Sequence, residues 1–164
     1  MKSKVWKYGD NVNTDVIFPG KYTYTLMTPD QQATHALEDL DAEFAQNVRI
    51  GDVIVAGSNF GCGSSREQAA SCLKFAGVSA IIAKSFARIF FRNAINFGLP
   101  VIACPEAVES IKNADFVEID FDKSVIIANE KQFPFPVLAP QVREILNSGG
   151  LIPYARGKIA KNKS

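Results

Sequence analysis

Gly57-Ser58-Asn59-Phe60-Gly61-Cys62-Gly63-Ser64-Ser65-Arg66-Glu67 is the stretch around which this chain is organised. An apolar run, Val53-Ile54-Val55-Ala56, leads into it and reads as a buried strand. Gln68 to Ala76 leads away with apolar residues at helical spacing, and Gly77 marks the helix end. The spacing therefore predicts a glycine-rich loop that delivers Ser64, Ser65 and Arg66 to the start of a helix. Ser64 followed three residues later by Glu67 predicts a capping box. A helix start presents unpaired N–H groups and the positive end of the helix dipole, and glycines let a ligand approach the backbone closely. Arg66 adds a planar fork suited to a carboxylate or phosphate. The plainer reading of the same residues is a capped helix after a tight turn, with a surface arginine.

Three common loops do not fit. A phosphate-cradling P-loop requires Gly-Lys-Ser/Thr, and no lysine occurs between Gly57 and Glu67. The dinucleotide fingerprint fails because Arg66 stands where the third glycine is required. A nucleophile elbow needs glycine two residues after its serine, and neither Ser64 nor Ser65 has one.

Outward from the loop, strands alternate with helices. Val5 to Tyr8 reads as a first strand, and Asp15 precedes an apolar run, Val16-Ile17-Phe18, read as a second short strand before the break at Pro19-Gly20. Pro29 to Leu40 reads as a helix, with a short turn near Glu43 to Asn47. Val78 to Ala83 is a central strand. Ser85 opens a helix ending at Gly98, and Val101 to Ala103 is buried strand. Glu106 to Ile111 is a short helix; Phe116 to Ile119, Val125 to Ala128 and Lys131 to Phe135 are strands, with a turn at Asn129-Glu130. A last helix, Gln141 to Leu146, stops at Gly149-Gly150. No repeat or linker divides this pattern, so it describes one α/β domain over residues 1–157 and a basic polar tail over 158–164 that is expected to fray.

The 164 residues are 47% hydrophobic, enough for one domain with a substantial core. A net charge of +1 provides no field for nucleic acid or a membrane surface. No apolar stretch reaches the roughly 20 residues that span a bilayer, and Met1 to Tyr8 lacks the apolar core of a signal peptide. The expectation is a soluble, cytoplasmic protein. The three cysteines, Cys62, Cys72 and Cys104, are scattered without a C-x-x-C pair, which argues against a disulfide framework and against a metal site built from this chain alone. Cys72 and Cys104 fall in apolar segments and read as core. Cys62, beside the serines, is either a ligand, a nucleophile or a small loop filler.

Ser64 and Ser65 do not suit hydrolase chemistry, because the single histidine, His35, falls on a predicted helix among Gln31, Gln32, Ala33, Thr34 and Glu38 and reads as a solvent-facing or interface residue. Phe75, Phe90, Phe91 and Phe97 read as packing residues.

Three separated motifs, Asn13-Thr14-Asp15-Val16-Ile17-Phe18-Pro19, the Gly61-to-Glu67 loop, and Ala83-Lys84-Ser85-Phe86-Ala87-Arg88-Ile89-Phe90, followed by Asn93 and Gly98-Leu99-Pro100, stand in order along the chain. In these the chain resembles the small subunits of the aconitase-like hydro-lyases, in particular the 3-isopropylmalate dehydratase family. The likeness spans nearly the whole chain, weakening from Lys21 to Thr28 and after Pro140. It implies a three-layer β/β/α swivelling domain, as in the C-terminal domain of aconitases. It also implies isomerisation of 2- and 3-isopropylmalate by dehydration and rehydration. In that family the first serine of the loop takes the proton as its alkoxide, which corresponds to Ser64. Ser65 and Arg66 would hold the substrate carboxylate. Asp15, otherwise an ordinary turn aspartate, would orient groups at the edge of the site. Lys21, Tyr22, Thr23 and Tyr24 would face the variable part of the substrate, although Lys21 equally reads as a solvated loop lysine. Ser85 and Arg88 read as structural or subunit-contact residues, with Arg88 near the site. The resemblance implies no cofactor on this chain and a four-iron four-sulfur cluster on a separate large catalytic subunit. The alternatives are another malate-type acid (methylmalate, dimethylmalate or homoaconitate) or a non-catalytic anion-binding module.

Overall fold

A computed structural model describes residues 2–161. Seven strands form one sheet in the order β4-β3-β2-β1-β5-β6-β7. Its parallel half consists of β1 (Ser3–Lys7), β2 (Val53–Ala56), β3 (Ala80–Ala83) and β4 (Val101–Ala103). Beyond β1 the direction reverses, and β5 (Phe116–Asp120), β6 (Val125–Ala128) and β7 (Lys131–Pro134) continue antiparallel. The β6–β7 turn uses Asn129 and Glu130, both at positive φ, the geometry whose twist matches a two-residue hairpin.

β2 is buried at every position, so its two faces line two different cores. Ile54 and Ala56 join Ile81, Ala83 and Val101 beneath the helices α4 (Gln68–Phe75), α5 (Arg88–Asn96) and α7 (Pro140–Asn147). Val53 and Val55 join Ala80, Ile82 and Ile102 on the other face. There they meet Val117, Ile126 and Ala128 of the antiparallel strands, and Ala107 and Val108 of α6 (Pro105–Ser110). The sheet thus curls back over itself, giving layers of strand, strand and helix: the three-layer β/β/α arrangement that the resemblance implied.

Four expectations change. The run read as a strand at Val16 to Phe18 is a single helical turn, α1 (Thr14–Ile17), because the Asn13 side chain accepts the N–H groups of Asp15 and Val16 and so nucleates it. The helix expected over Pro29 to Leu40 ends early, as α2 (Pro29–Ala33); successive turns lead to Leu37, buried at φ +57°, whose N–H donates to Ile17 O at 2.8 Å, outside any helical pattern. Phe44–Asn47 forms the next short helix, α3. The helix expected from Ser85 begins at Arg88, since Ser85 O and Ala87 N are bonded to Phe60 as an extension of the sheet. Finally, α8 (Leu151–Lys161) runs through the first part of the expected fraying tail, while the remainder of that tail lies outside the described residues. Pro153 is tolerated because its missing N–H falls in the first turn.

Candidate active site

The chain leaves β1, β2 and β3 at the same edge of the sheet, and the three departing loops are stitched together. Gly57 N donates to Gly9 O, Asn11 N to Ser58 O, Gly61 N to Val12 O and Thr14 N to Cys62 O, at 2.7 to 2.9 Å. Lys84 N donates to Gly57 O and Phe60 N to Ser85 O, while Asn59 N reaches the Ser85 hydroxyl at 2.8 Å. Ser85 therefore serves the scaffold. This backbone lattice holds an irregular loop in one shape at the carboxyl ends of parallel strands, where open α/β sheets bind ligands.

Two glycines are dictated by that shape. Gly61 has φ +77°, and a Cβ there would lie 2.1 Å from Cγ of the Phe90 ring. Gly63 has φ +104° and abuts the Thr14 hydroxyl, which would lie 3.1 Å from an added Cβ.

Beyond Gly63, Ser64 does not cap α4: that helix begins at Gln68 with no side-chain cap, so the expected capping box with Glu67 is absent. The Ser64 hydroxyl instead lies 2.9 Å from Thr14 Oγ1 and accepts the Arg66 Nε–H at 2.8 Å. Ser64 N–H donates to Thr14 Oγ1 at 2.9 Å. The same guanidinium pairs with Asp15 through NH2, and its NH1 points to Phe18 O and Thr23 Oγ1, each at 3.4 Å. The Arg66 side chain is only 14% exposed, whereas Asp15 is 62% exposed, so the cluster has a protected floor and an open mouth. Ser65 is exposed beside it, with its carbonyl accepting the side-chain N–H of buried Asn93 at 3.3 Å.

Ser64, Asp15, Arg66 and Thr23 are therefore brought together. Lys21, Tyr22 and Tyr24 are not. Lys21 Nζ pairs with Glu38 at 2.6 Å, and the Tyr22 hydroxyl also faces that carboxylate. The Tyr22 ring lies 4.0 Å from the His35 ring, and His35 Nδ1 bonds Glu38 too. The hydrogen bond from Lys21 holds the Glu38 carboxyl below the usual carboxylate range, and the same bond holds Lys21 above its own. Tyr24 and Leu26 are fully exposed. Arg88 is exposed on the first turn of α5. The site residue missed from sequence is Thr14, just 1% exposed; only its place next to Asp15 in the first motif could have signalled it.

Cys62 contributes its carbonyl to the loop lattice, and burial pushes the thiols of Cys72 and Cys104 up. Cys72 and Cys104 belong to opposite cores. Among the described residues, no group of three or more His, Cys, Asp or Glu side chains is arranged to hold a metal ion.

Residues 10–107, carrying all of this lattice except the Gly9 carbonyl, match the aconitase C-terminal domain family. The chain belongs to that family. Within it the chain is similar over nearly its whole length to curated 3-isopropylmalate dehydratase small subunits. It is 51% identical over 164 residues to that of Ruminiclostridium cellulolyticum, with 97% of this chain and 98% of that protein covered. It is 47% identical over 162 residues to that of Heliobacterium modesticaldum, covering 98% and 97%. A crystal structure of 3-isopropylmalate dehydratase from Methanocaldococcus jannaschii superimposes with a TM-score of 0.90 at 47% identity, covering 99% of this chain and 98% of that one. The chain is accordingly a member of the family of 3-isopropylmalate dehydratase small subunits. No helix among its described residues is long and apolar enough to cross a membrane.

Proposed function

We propose that the chain works with a large subunit to interconvert 2-isopropylmalate and 3-isopropylmalate, a step of leucine biosynthesis, and that it contributes the base and part of the carboxylate site. The observation that carries this reading is the donation of Arg66 Nε–H to the Ser64 hydroxyl oxygen at 2.8 Å within a protected floor. A guanidinium there lowers the cost of the Ser64 alkoxide, the form able to take a proton from the carbon next to a carboxylate. Negative charge that then grows on the substrate carboxylate requires donors. Ser65, exposed at the mouth, and the Arg66 N–H not spent on Asp15 are the available ones. Asp15 orients the guanidinium, so that its Nε edge faces Ser64 and away from solvent. Thr23 supports the same guanidinium from the loop after α1.

The Lewis acid that helps the substrate hydroxyl depart is, in this reading, a four-iron four-sulfur cluster on the large subunit. The open mouth at Asp15 and Ser65 agrees with a site completed by another chain. The test is reconstitution. The chain purified alone is expected to turn over nothing; co-expressed with a cluster-bearing large subunit it forms an active complex, and Ser64→Ala abolishes turnover without preventing assembly. Turnover by the isolated chain would refute the two-subunit reading, and near-normal turnover by the Ser64→Ala complex would remove Ser64 as the base.

A further inference from the structure

The buried hydroxyl of Thr14 lies 2.9 Å from the Ser64 hydroxyl oxygen, and we propose that Thr14 is a positioning residue that donates to the Ser64 alkoxide and so stabilises it. The inference deepens the proposed function and rests on Ser64 being the base.

A threonine hydroxyl has one hydrogen to give and two lone pairs to receive with. Thr14 Oγ1 receives the Ser64 backbone N–H at 2.9 Å, which uses one lone pair. It also lies 2.9 Å from Ser64 Oγ, a contact in which either oxygen can donate while Ser64 is protonated. Once Ser64 has lost its proton, only Thr14 can donate. Arg66 has no lone pair to offer, so its Nε–H donates in both states. The alkoxide thus receives two hydrogen bonds, one from a cation and one from a neutral hydroxyl, and Thr14 keeps its own proton throughout. When Ser64 accepts the substrate proton, the new O–H takes the one lone-pair direction left free while both donors stay where they are.

The surroundings hold Thr14 for this task. Its backbone N–H is fixed by Cys62 O at 2.7 Å, and Asn13 caps the turn that it opens. Gly63 leaves the space that the hydroxyl fills. A hydroxyl that is 1% exposed has no water to satisfy it, so its orientation is set by Ser64. Donors fixed in advance around a developing or resident oxyanion need no reorganisation during the reaction, which is why they act on the rate more than on substrate binding.

The experiment uses the assembled complex with its large subunit and compares Thr14→Val, Thr14→Ala and Thr14→Ser, with Ser64→Ala in parallel. Thr14→Val keeps the shape and removes the hydroxyl; Thr14→Ala covers the case in which valine blocks assembly. Loss of the hydroxyl is expected to lower kcat about 100-fold with KM within about threefold of the parent, while Thr14→Ser recovers most of the rate. A purely structural role predicts lower thermal stability with an unchanged kcat per assembled complex, and that outcome overturns the proposal. Thr14→Ser as slow as Thr14→Val in an intact complex overturns it as well. If Ser64→Ala retains turnover, the base assignment itself falls; an inactive Ser64→Ala complex beside a normal Thr14→Val complex sinks only the role of Thr14.

Discussion

Arg66 Nε stands 2.8 Å from Ser64 Oγ while the other end of the same guanidinium is held by Asp15. The arginine is therefore a bracket between a serine and an aspartate, with few N–H groups left for a ligand. Replacing it with lysine removes the fork that reaches both partners at once. Arg66→Lys is expected to lower kcat at least 100-fold, more than it raises KM, as measured by steady-state kinetics on the assembled enzyme. A change confined to KM would mean that Arg66 only binds substrate.

Asn13 sets the position of Thr14 and Asp15 by capping α1, so a change there should reach the site indirectly. Asn13→Ala is expected to cost about 1 kcal/mol in stability and to reduce turnover, because both motif residues ride on the uncapped turn. Urea unfolding of the chain, alongside kinetics of the complex, separates the two effects.

Gly61 is committed by its backbone and by the Phe90 ring packed against it. Gly61→Ala is expected to destabilise the fold by roughly 2–4 kcal/mol, the sum of overpacking and a left-handed backbone at a residue with a Cβ. Chemical denaturation reads this directly, and an unchanged midpoint would contradict the packing described.

The segment from Gly20 to Thr28 should respond to acid through Glu38. Its carboxyl is held below the ordinary range, first by the hydrogen bond from Lys21 and then by His35. A depressed carboxylate contributes fully above its unfolded value, about pH 4.3, and the contribution is lost as pH falls through the lower folded value. Lys21 is held above its ordinary range by the same pair, so its contribution is lost only as pH rises above about 10.4 toward the folded value. Between those limits both charges of the Lys21–Glu38 pair are constant. Backbone order parameters for residues 20–28 are expected to drop as pH falls below about 4.3; in Glu38→Gln the acid-side change should vanish.

Under the proposed function, substrate choice is expected to follow from the charges of that segment. No arginine precedes Arg49, and Lys21, the one cation between Gly20 and Thr28, is already paired with Glu38. A third carboxylate would find no free partner there, at a cost of several kcal/mol if buried, whereas a changed alkyl group alters binding by only about 1 to 3. The complex is expected to favour isopropylmalate or a smaller alkylmalate over homoaconitate by at least about tenfold in kcat/KM, a margin of roughly 1.4 kcal/mol. Tyr24→Arg, on a fully exposed side chain, should narrow that gap. Equal use of both acids by the parent complex would show that another segment governs the choice.

Much of the fold was legible from local chemistry. Val53-Ile54-Val55-Ala56 had to be a strand covered on both faces, Gly77 and Gly98 had to end helices, and Asn129-Glu130 had to turn, because each depends on side chains and φ preferences within a few residues. The family likeness was carried in the same way by contiguous motifs such as Gly61 to Glu67. What local pattern misjudged were places where one hydrogen-bond partner outbid another. Ser64 and Glu67 have the spacing of a capping box, yet Arg66 and Thr14 claim the serine hydroxyl. Val16-Ile17-Phe18 has a strand's composition, yet Asn13 bends it into a helical turn. Leu37 leaves its helical path for the carbonyl of Ile17. Thr14 and Ser64 are fifty positions apart, and their contact exists only because β1 and β2 are adjacent parallel strands whose loops share hydrogen bonds. Sequence by itself determined which groups the protein carries and where most of its strands and helices lie; only the packing of two strand ends decided which hydroxyl faces which.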